Sequence, residues 1–114
     1  MINLFTETTN VLKQHNKTWD DVVWVGTPEF FIPTSEFLKI IADIEYDNTF
    51  GNAEINSRLV IVGDTWWLER AEYDGSEWWE YKEQPVKPNF WILPPADYIY
   101  TPDYFCRSLH NDKD

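Results

Sequence analysis

The stretch that decides the fold runs from Leu59 to Glu83 and reads LVIVGDTWWLERAEYDGSEWWEYKE. Its apolar and alternating runs are separated by two polar pairs, Gly63-Asp64 and Asp74-Gly75. Pairs of this kind favour two-residue hairpin turns, and Asp-Gly suits a type I′ turn because both central residues take a positive φ. The stretch therefore predicts a three-stranded antiparallel meander, which Pro85 ends.

The two turns set the strand pairing, and the pairing sets the two faces of the sheet. Across the second turn the predicted partners are Tyr73 with Ser76, Ala71 with Trp78, Arg70 with Trp79, Glu69 with Glu80, Leu68 with Tyr81 and Trp67 with Lys82. Across the first they are Ile61 with Trp66 and Leu59 with Leu68. Alternation then predicts a core face of Leu59, Ile61, Trp66, Leu68, Trp79 and Tyr81. Arg70 lies on this face, where we expect a cation–π contact with Trp79.

The opposite face of the meander mixes apolar and charged residues, namely Val60, Val62, Trp67, Glu69, Ala71, Trp78, Glu80 and Lys82. Two tryptophans beside an opposed pair of carboxylates are unusual on a face that meets only water. Three interpretations stay open. The segment Phe90–Ile92 covers the tryptophans, the tryptophans form a patch for a partner, or the register differs from the predicted one.

Two helices are predicted before the meander. Residues 3–16 form a short, moderately amphipathic helix. A second helix starts after Pro33, with Thr34 as its N-cap, and ends near Tyr46. Its apolar stripe, which we expect to cover the core face of the sheet, consists of Phe37, Ile40, Ile41 and Ile44.

Two further strands lie between these helices. Residues 20–26 predict a buried strand, a turn follows at residues 27–29, and residues 30–32 predict a second short strand. The three-stranded meander thus allows an extension to a sheet of four or five strands. Residues 47–52 are expected to form a polar loop.

The C-terminal part changes character, because four prolines stand within residues 85–95. They indicate extended chain, and the apolar run Phe90–Leu93 should pack on the domain as an edge strand or strap. Residues 101–109 predict a short last helix. The sequence thus predicts one α+β domain over residues 1–114: an antiparallel sheet, one main packed helix, short terminal helices and a proline-rich C-terminal wrap.

Composition excludes several classes of protein. The chain has 114 residues, 20 acidic against 9 basic side chains, a net charge of −11 and 18% aromatic residues. The aromatic content argues against disorder, and the charge argues against direct binding of nucleic acid or of an anionic membrane. A single cysteine, Cys106, allows no internal disulfide. With no apolar stretch of membrane-spanning length and no leader-like N-terminus, we expect a cytoplasmic protein.

The negative charge is concentrated in residues 43–83, where eleven acidic and three basic residues leave a net charge of −8. Glu72, Asp74 and Glu77 cluster around the second turn. Such a cluster steers basic partners, although acidic residues also serve solubility alone.

Catalytic and metal-binding interpretations find little support. Glu69 and Glu80 are the best-placed carboxylate pair, but a flat sheet face offers nothing to orient a substrate. The acidic residues between Asp43 and Glu54 lack the order of a calcium loop. A Cys106–His110 pair is one helical turn apart near the terminus, which suits an idle thiol better than a nucleophile. We expect no cofactor, no metal and no enzymatic activity.

Three segments resemble a family of small uncharacterised phage and prophage proteins: residues 44–51 (IEYDNTFG), residues 59–70 with the string WWLER, and residues 72–80 with the string YDGSEWWE. The resemblance covers roughly residues 40–85. It implies a phage or prophage origin and a place of action in the bacterial cytoplasm. Small acidic phage proteins are often inhibitors of host machinery or defence, including anti-CRISPR proteins and DNA mimics.

The sequence thus favours an interaction protein whose acidic hairpin docks on a basic surface of a bacterial protein. The candidate partner-binding residues are Trp67, Glu69, Glu72, Asp74, Glu77, Trp78 and Glu80. One alternative is a binder of small ligands, such as nucleotide signals, in a pocket lined by Trp67, Trp78 and Trp91. A virion or structural protein is another, and the oligomeric state stays open.

Overall fold

The computed structural model describes residues 1–47 and 52–99. In chain order the elements are β1 (Ile2–Asn3), α1 (Leu4–Gln14), a 3₁₀ turn (Trp19–Asp21), β2 (Trp24–Gly26), β3 (Phe31–Ile32), α2 (Thr34–Ile41), β4 (Glu45–Tyr46), β5 (Val60–Val62), β6 (Trp66–Tyr73), β7 (Ser76–Glu83) and a second 3₁₀ turn (Ala96–Ile99). Strands β3-β2-β5-β6-β7 form one antiparallel sheet in that order, and β1 pairs with β4 in a second, two-stranded sheet. The predicted α+β fold and the extension of the meander to five strands are confirmed.

The second hairpin has the predicted register at every paired position, from Tyr73 opposite Ser76 to Trp67 opposite Lys82. Its turn residues Asp74 and Gly75 have φ angles of 52° and 86°. These are the positive values that a type I′ turn requires.

The predicted register of the first hairpin is wrong by two residues. Ile61 lies opposite Leu68 rather than Trp66, and the loop is Asp64-Thr65, closed by a 2.8 Å bond from the Gly63 amide to the Trp66 carbonyl. Gly63 is needed there because a Cβ at this position would lie 2.0 Å from the Trp66 ring. A shift of two residues leaves every side chain on its predicted face.

Helix α1 confirms the first predicted helix. Asn3 caps it, because its Oδ1 accepts a 3.0 Å hydrogen bond from the Thr6 amide. The Thr8 hydroxyl donates to the Leu4 carbonyl at 2.7 Å, which lets a polar side chain occupy a fully buried helical position. The helix ends at Gln14.

The predicted strand over residues 20–26 is confirmed only at its end. Residues 19–21 form a 3₁₀ turn instead, in which the Asp21 carboxylate accepts a hydrogen bond from the Thr18 amide at 2.8 Å. Val23 is 65% exposed, so the segment is not a fully buried strand. Val25, at the centre of β2, is completely buried.

The predicted bounds of the second helix are also corrected. Thr34 is its first residue rather than its cap, since Pro33 holds the N-cap position, and the helix ends at Ile41 rather than near Tyr46. Tyr46 instead belongs to β4, opposite Ile2. Extended backbone there carries the Tyr46 side chain into the interior, where it is 1% exposed.

The core lies between the five-stranded sheet and both helices. Its buried residues are Leu4, Leu12, Val25, Phe37, Ile41, Tyr46, Leu59, Ile61, Trp66, Leu68 and Trp79. The predicted core face is confirmed, with Tyr81 half-buried at its edge. Helix α1 shares the role predicted for α2 alone, because the Trp79 indole donates a 2.8 Å hydrogen bond to Thr8. No helix in residues 1–47 and 52–99 is long and apolar enough to cross a membrane.

The predicted packing of the tail on the domain is wrong for the apolar run. Gln84 still bonds to Thr65 at 2.8 Å. Beyond it, Phe90, Trp91, Ile92 and Leu93 are 75%, 84%, 67% and 89% exposed. The prolines on both sides of this run supply no amide hydrogen for a strand ladder. The predicted last helix over residues 101–109 and most of the loop over residues 47–52 lie outside the described residues.

Candidate partner-binding face and the buried polar centre

The five-stranded sheet divides the candidate binding residues between its two faces. Trp67, Glu69, Trp78 and Glu80 lie on the face away from the helices, which we call the open face. Glu77 lies on the covered face, the one that packs on α1 and α2. Glu72 is the cross-strand partner of Glu77 and lies on the same side of the sheet, at the exposed end of the hairpin. Asp74 is in the turn itself. The predicted set therefore does not form one surface.

The open face extends beyond the meander into strands β2 and β3. Trp24 pairs with Val62, which pairs with Trp67, so one cross-strand row carries two tryptophans. Phe31, 70% exposed, lies on the same face because it pairs with Gly26, the partner of Val60. Sequence reasoning missed these two aromatic residues, because no local pattern shows that β2 pairs with β5.

The carboxylates of the open face have partners of their own. Glu69 lies directly opposite Glu80, as predicted. The Glu69 carboxylate accepts a 2.7 Å hydrogen bond from the Trp67 indole, and the Lys82 ammonium lies 3.4 Å from Glu80. Trp67 and Lys82 are themselves cross-strand partners, so the neighbouring row supplies a donor to one carboxylate and a cation to the other. These contacts offset part of the repulsion expected of opposed like charges.

The described part of the tail does not bury the open face. Phe90, Trp91 and Ile92 are each at least 67% exposed, whereas Trp67 and Trp78 are half-buried among their sheet neighbours. The covered interpretation of the tryptophans is therefore wrong for residues up to Ile99. Within the described residues, nothing packs over this face of the sheet.

Glu77 is not part of an acidic surface, contrary to the prediction. Its side chain is 5% exposed, and its carboxylate accepts hydrogen bonds from the amides of Glu54 (2.7 Å) and Ile55 (3.2 Å) and from Arg70 Nη2 (2.9 Å). Burial favours the neutral acid, but the three hydrogen bonds and the Arg70 charge outweigh it and lower the pKa of Glu77. Strand alternation indicates this burial, since Glu77 stands two residues before the core residue Trp79 and therefore lies on the same face.

Arg70, Tyr46, Glu7 and Glu77 form a buried polar centre. The Tyr46 hydroxyl donates to Glu7 at 2.6 Å and accepts from Arg70 Nη2 at 3.1 Å. Burial, together with the hydrogen bond to Glu7, raises the pKa of Tyr46 to about 12. No sequence pattern indicates this centre, because Glu7 and Tyr46 are 39 residues apart and meet only through the packed fold.

The guanidinium of Arg70 contacts two aromatic rings in addition to its hydrogen-bond partners Tyr46 and Glu77. Its side chain is 2% exposed, and its central carbon lies 4.7 Å from the Trp79 ring centroid and 5.6 Å from that of Tyr46. The predicted cation–π contact is confirmed. Arg70 Nε and Nη1 have no hydrogen-bond partner within the described part of the chain, and Nη1 lies 3.9 Å from Glu7. The rings and two carboxylates stabilise the buried charge.

Neither face assembles a metal centre from the residues that the structure describes. No group of three or more His, Cys, Asp or Glu side chains among them is arranged to hold a metal ion. Of the candidate calcium residues, Glu54 donates a hydrogen bond from its backbone amide to the Glu77 carboxylate, and Asn48 lies outside the described ranges. The Cys106–His110 pair lies outside them as well.

An apolar groove lies away from the open face, between α2, β3 and the chain leading into β5. Its volume is about 330 Å³, and its lining includes Ile32, Phe37, Ile40, Ile55 and Leu59. Within one copy of the chain, the pocket predicted from Trp67, Trp78 and Trp91 does not form, because Trp91 is 84% exposed. No sequence pattern indicates this groove, since its lining comes from separate segments.

Comparison with known proteins adds no assignment. No protein-family model, no curated protein and no solved structure matches the chain. The resemblance to phage and prophage proteins therefore stays a prediction.

Proposed function

We propose that the protein is a non-enzymatic interaction protein whose open face and acidic hairpin tip bind a basic surface of a bacterial protein. The observation that supports this most is the open face itself. Two half-buried tryptophans, Trp67 and Trp78, lie beside Glu69 and Glu80 on a sheet face that the described tail leaves uncovered. Exposed aromatic patches rimmed by polar groups mark interaction sites.

The charge of this region selects the kind of partner. Glu72 and Asp74 are exposed at the hairpin tip, and Glu69 and Glu80 lie on the open face. Of the residues that β6 and β7 contribute to the open face, Lys82 alone is basic. A surface of this sign attracts basic proteins and raises their association rate. Glu77 plays no part, because Arg70 already neutralises it inside the domain.

The tryptophans supply the apolar anchor. The Trp67 indole is already oriented by its 2.7 Å hydrogen bond to Glu69, so little side-chain entropy is lost when a partner covers it. Large, oriented aromatic residues near the centre of an interface carry much of the binding free energy. Trp24 and Phe31 extend the same face toward β3.

The phage resemblance narrows the partner further as part of the same proposal. Basic surfaces in bacteria are typical of proteins that bind nucleic acid, because such surfaces neutralise phosphates. A defence nuclease or another nucleic-acid-binding factor of the bacterial cytoplasm is the proposed target, in the manner of an anti-CRISPR protein or a DNA mimic.

The test is affinity capture from bacterial lysate with cross-linking, followed by titration of the purified captured protein. Glu69→Lys/Glu80→Lys should abolish binding, and Trp67→Ala should weaken it at least about tenfold, the loss of a modest hot spot. Binding of the unchanged protein should weaken steadily as salt is raised, since the attraction is between exposed charges.

A charge-matched control separates surface charge from overall charge. Glu36→Lys/Glu83→Lys changes the net charge equally at exposed positions outside the open face. The proposal requires this control to bind the captured protein far better than Glu69→Lys/Glu80→Lys. Equal binding by both variants, or binding that salt does not affect, would overturn it.

A further inference from the structure

The covered face of the β6–β7 hairpin shows what a tryptophan and a glutamate two residues apart can bind. Glu77 and Trp79 stand two residues apart on β7, so their side chains lie on the same face. Arg70 Nη2 bonds to the Glu77 carboxylate at 2.9 Å, and the central carbon of Arg70 lies 4.7 Å from the Trp79 ring centroid. One guanidinium therefore contacts a carboxylate and an indole ring at the same time.

The open face carries two pairs of the same composition and spacing. Trp67 and Glu69 stand two residues apart on β6, and Trp78 and Glu80 do so on β7. Glu69 and Glu80 are direct cross-strand partners, so a tryptophan flanks their row on each side. Within residues 1–47 and 52–99, no cation lies over either of these two indole rings. In this part of the chain, the open face holds the carboxylates and rings of an arginine site without the guanidinium.

We propose that the open face binds an arginine side chain of the basic partner between the opposed carboxylates and the flanking indoles. The residues of this arginine site are Trp67, Glu69, Trp78 and Glu80. The inference rests on the proposed function and deepens it, because it names the group of the partner that the open face recognises. Opposed side chains on paired strands are about 5 Å apart at Cβ, so one guanidinium can reach both carboxylates.

Arginine is favoured over lysine because the arginine site offers two kinds of contact. A guanidinium donates hydrogen bonds in its plane to carboxylates, and its flat face stacks on an indole ring. An ammonium has no flat face and is more strongly hydrated, so it gains less from the rings. The arginine site should therefore distinguish arginine from lysine at equal charge.

Lys82 occupies part of the arginine site in the free protein. Its ammonium lies 3.4 Å from Glu80, and both side chains are almost half exposed, at 44% and 45%. An exposed ion pair of this kind is weak, so an incoming guanidinium can displace the ammonium from Glu80. Lys82 therefore competes with the arginine of the partner.

The chain's own arginines enter the test as well. Arg58 lies 2.9 Å from Glu29, and Arg70 is enclosed on the covered face. Arg107 lies outside the described residues. The variant Arg107→Ala therefore separates an arginine of the partner from one of this chain.

The first experiment compares two capped peptides that differ only in their basic residues, either three arginines or three lysines separated by glycines. Binding to the full chain is followed by NMR through the indole N–H signals, which report on each tryptophan separately. The arginine peptide should bind about threefold to fivefold more tightly, the gain expected of a cation–π contact at an exposed site. The signals of Trp67 and Trp78 should shift, while those of the buried Trp66 and Trp79 should not.

Variants test the carboxylates and the rings separately, after thermal unfolding has shown that each variant is folded. Glu80→Gln should weaken binding of the arginine peptide about threefold or more. Glu36→Gln, which makes the same charge change at an exposed residue of α2, should leave the affinity within about twofold. Trp78→Leu should bring the affinities for the two peptides together, because it removes a ring and keeps both carboxylates.

Lys82→Met gives the sharpest test, because it predicts a gain. Removing the competing ammonium should strengthen binding of the arginine peptide about twofold to fivefold. Lys39→Met is the matched control, since Lys39 is also exposed and also paired with a glutamate, but lies on α2. An equal gain from Lys39→Met would overturn the inference, because overall charge would then explain it.

Two further outcomes overturn the inference. The first is equal affinity for the arginine and lysine peptides. The second is a severalfold gain in peptide binding by Arg107→Ala, because the chain's own arginine would then fill the site. Both leave the proposed function standing if the captured partner still loses affinity on Glu69→Lys/Glu80→Lys. A captured partner that is insensitive to that change overturns the proposed function instead, even where the peptides show the expected preference.

Discussion

The two faces of the β6–β7 hairpin carry the same kinds of residue and use them differently. The covered face holds Trp79, Arg70 and Glu77, and the open face holds Trp78, Lys82 and Glu80. On the covered face the Arg70–Glu77 pair is at most 5% exposed and bonded at 2.9 Å. On the open face the Lys82–Glu80 pair is 44–45% exposed at 3.4 Å.

The difference shows how solvent decides the role of a charge. A buried ion pair needs both partners, because removing one leaves the other as an uncompensated charge in a medium of low dielectric constant. An exposed pair contributes little to stability and can exchange its partner for another molecule. We therefore assign stability to the covered face, and the proposed binding belongs to the open face.

The largest effect is expected from Glu77→Ala, which leaves Arg70 buried without its closest carboxylate. Unfolding by urea should show a loss of about 3–5 kcal/mol in the free energy of unfolding. Glu80→Ala, the equivalent change on the open face, should change it by less than about 0.5 kcal/mol. Similar losses for the two variants would remove the distinction between the faces.

Tyr46→Phe should cost about 1–3 kcal/mol, because Glu7 and Arg70 both lose the bridging hydroxyl. The pKa of Tyr46, about 12 in the fold, lies above its ordinary value of 10.0. Tyr46 therefore stabilises the fold fully below pH 10 and loses this contribution as the pH rises through 12. The control is Tyr73→Phe, at a residue that is 77% exposed. A loss of stability in alkali as steep in Tyr46→Phe as in the unchanged protein would contradict the assignment.

A smaller effect is expected in acid. The pKa of Glu77 is lowered below its ordinary 4.5 in the fold, so its contribution is present above that pH and is lost as the pH falls through the folded value. Comparing Glu77→Gln with the unchanged protein along an acid titration isolates this contribution. The gap between their unfolding free energies should narrow as the pH drops. A constant gap would mean that the ionised carboxylate is not what stabilises the hairpin.

The smallest effect is expected from Glu80→Gln. It removes one of two like charges that face each other across the open face, so stability should rise by a few tenths of a kcal/mol. Thermal unfolding at low and high salt provides the measurement, and the gain should shrink as salt screens the repulsion. A loss of stability would show that the Lys82–Glu80 contact outweighs the repulsion from Glu69.

Local chemistry explains which parts of the fold were predictable. The Asp74-Gly75 turn fixes the second hairpin through the positive φ of two adjacent residues, and alternation then places Trp79 and Arg70 correctly. The first hairpin was two residues off, because Gly63 serves ring packing against Trp66 rather than the turn itself. The predicted faces of the sheet are still correct, because a shift of two residues leaves each side chain on the same face.

The candidate site was predictable only in part for the same reason. Trp67, Glu69, Trp78 and Glu80 follow from the hairpin alone, and the structure brings them together on the open face. The positions of Trp24 and Phe31 on the open face depend on strand pairings that join separate segments of the chain. Strand alternation alone places Glu77 on the other face, so it could have been left out of the predicted site.

The sequence by itself determined the meander, its two faces and the negative charge of the hairpin, because turn residues and alternation act over a few residues. Tertiary structure decided which charges are used internally: Glu77 is neutralised by Arg70 because packing excludes water from both. It also decided that the apolar run stays exposed and that a groove opens under α2, since both depend on where separate segments end in space. Burial is a property of the assembled chain, and burial is what separates a stabilising carboxylate from one available to a partner.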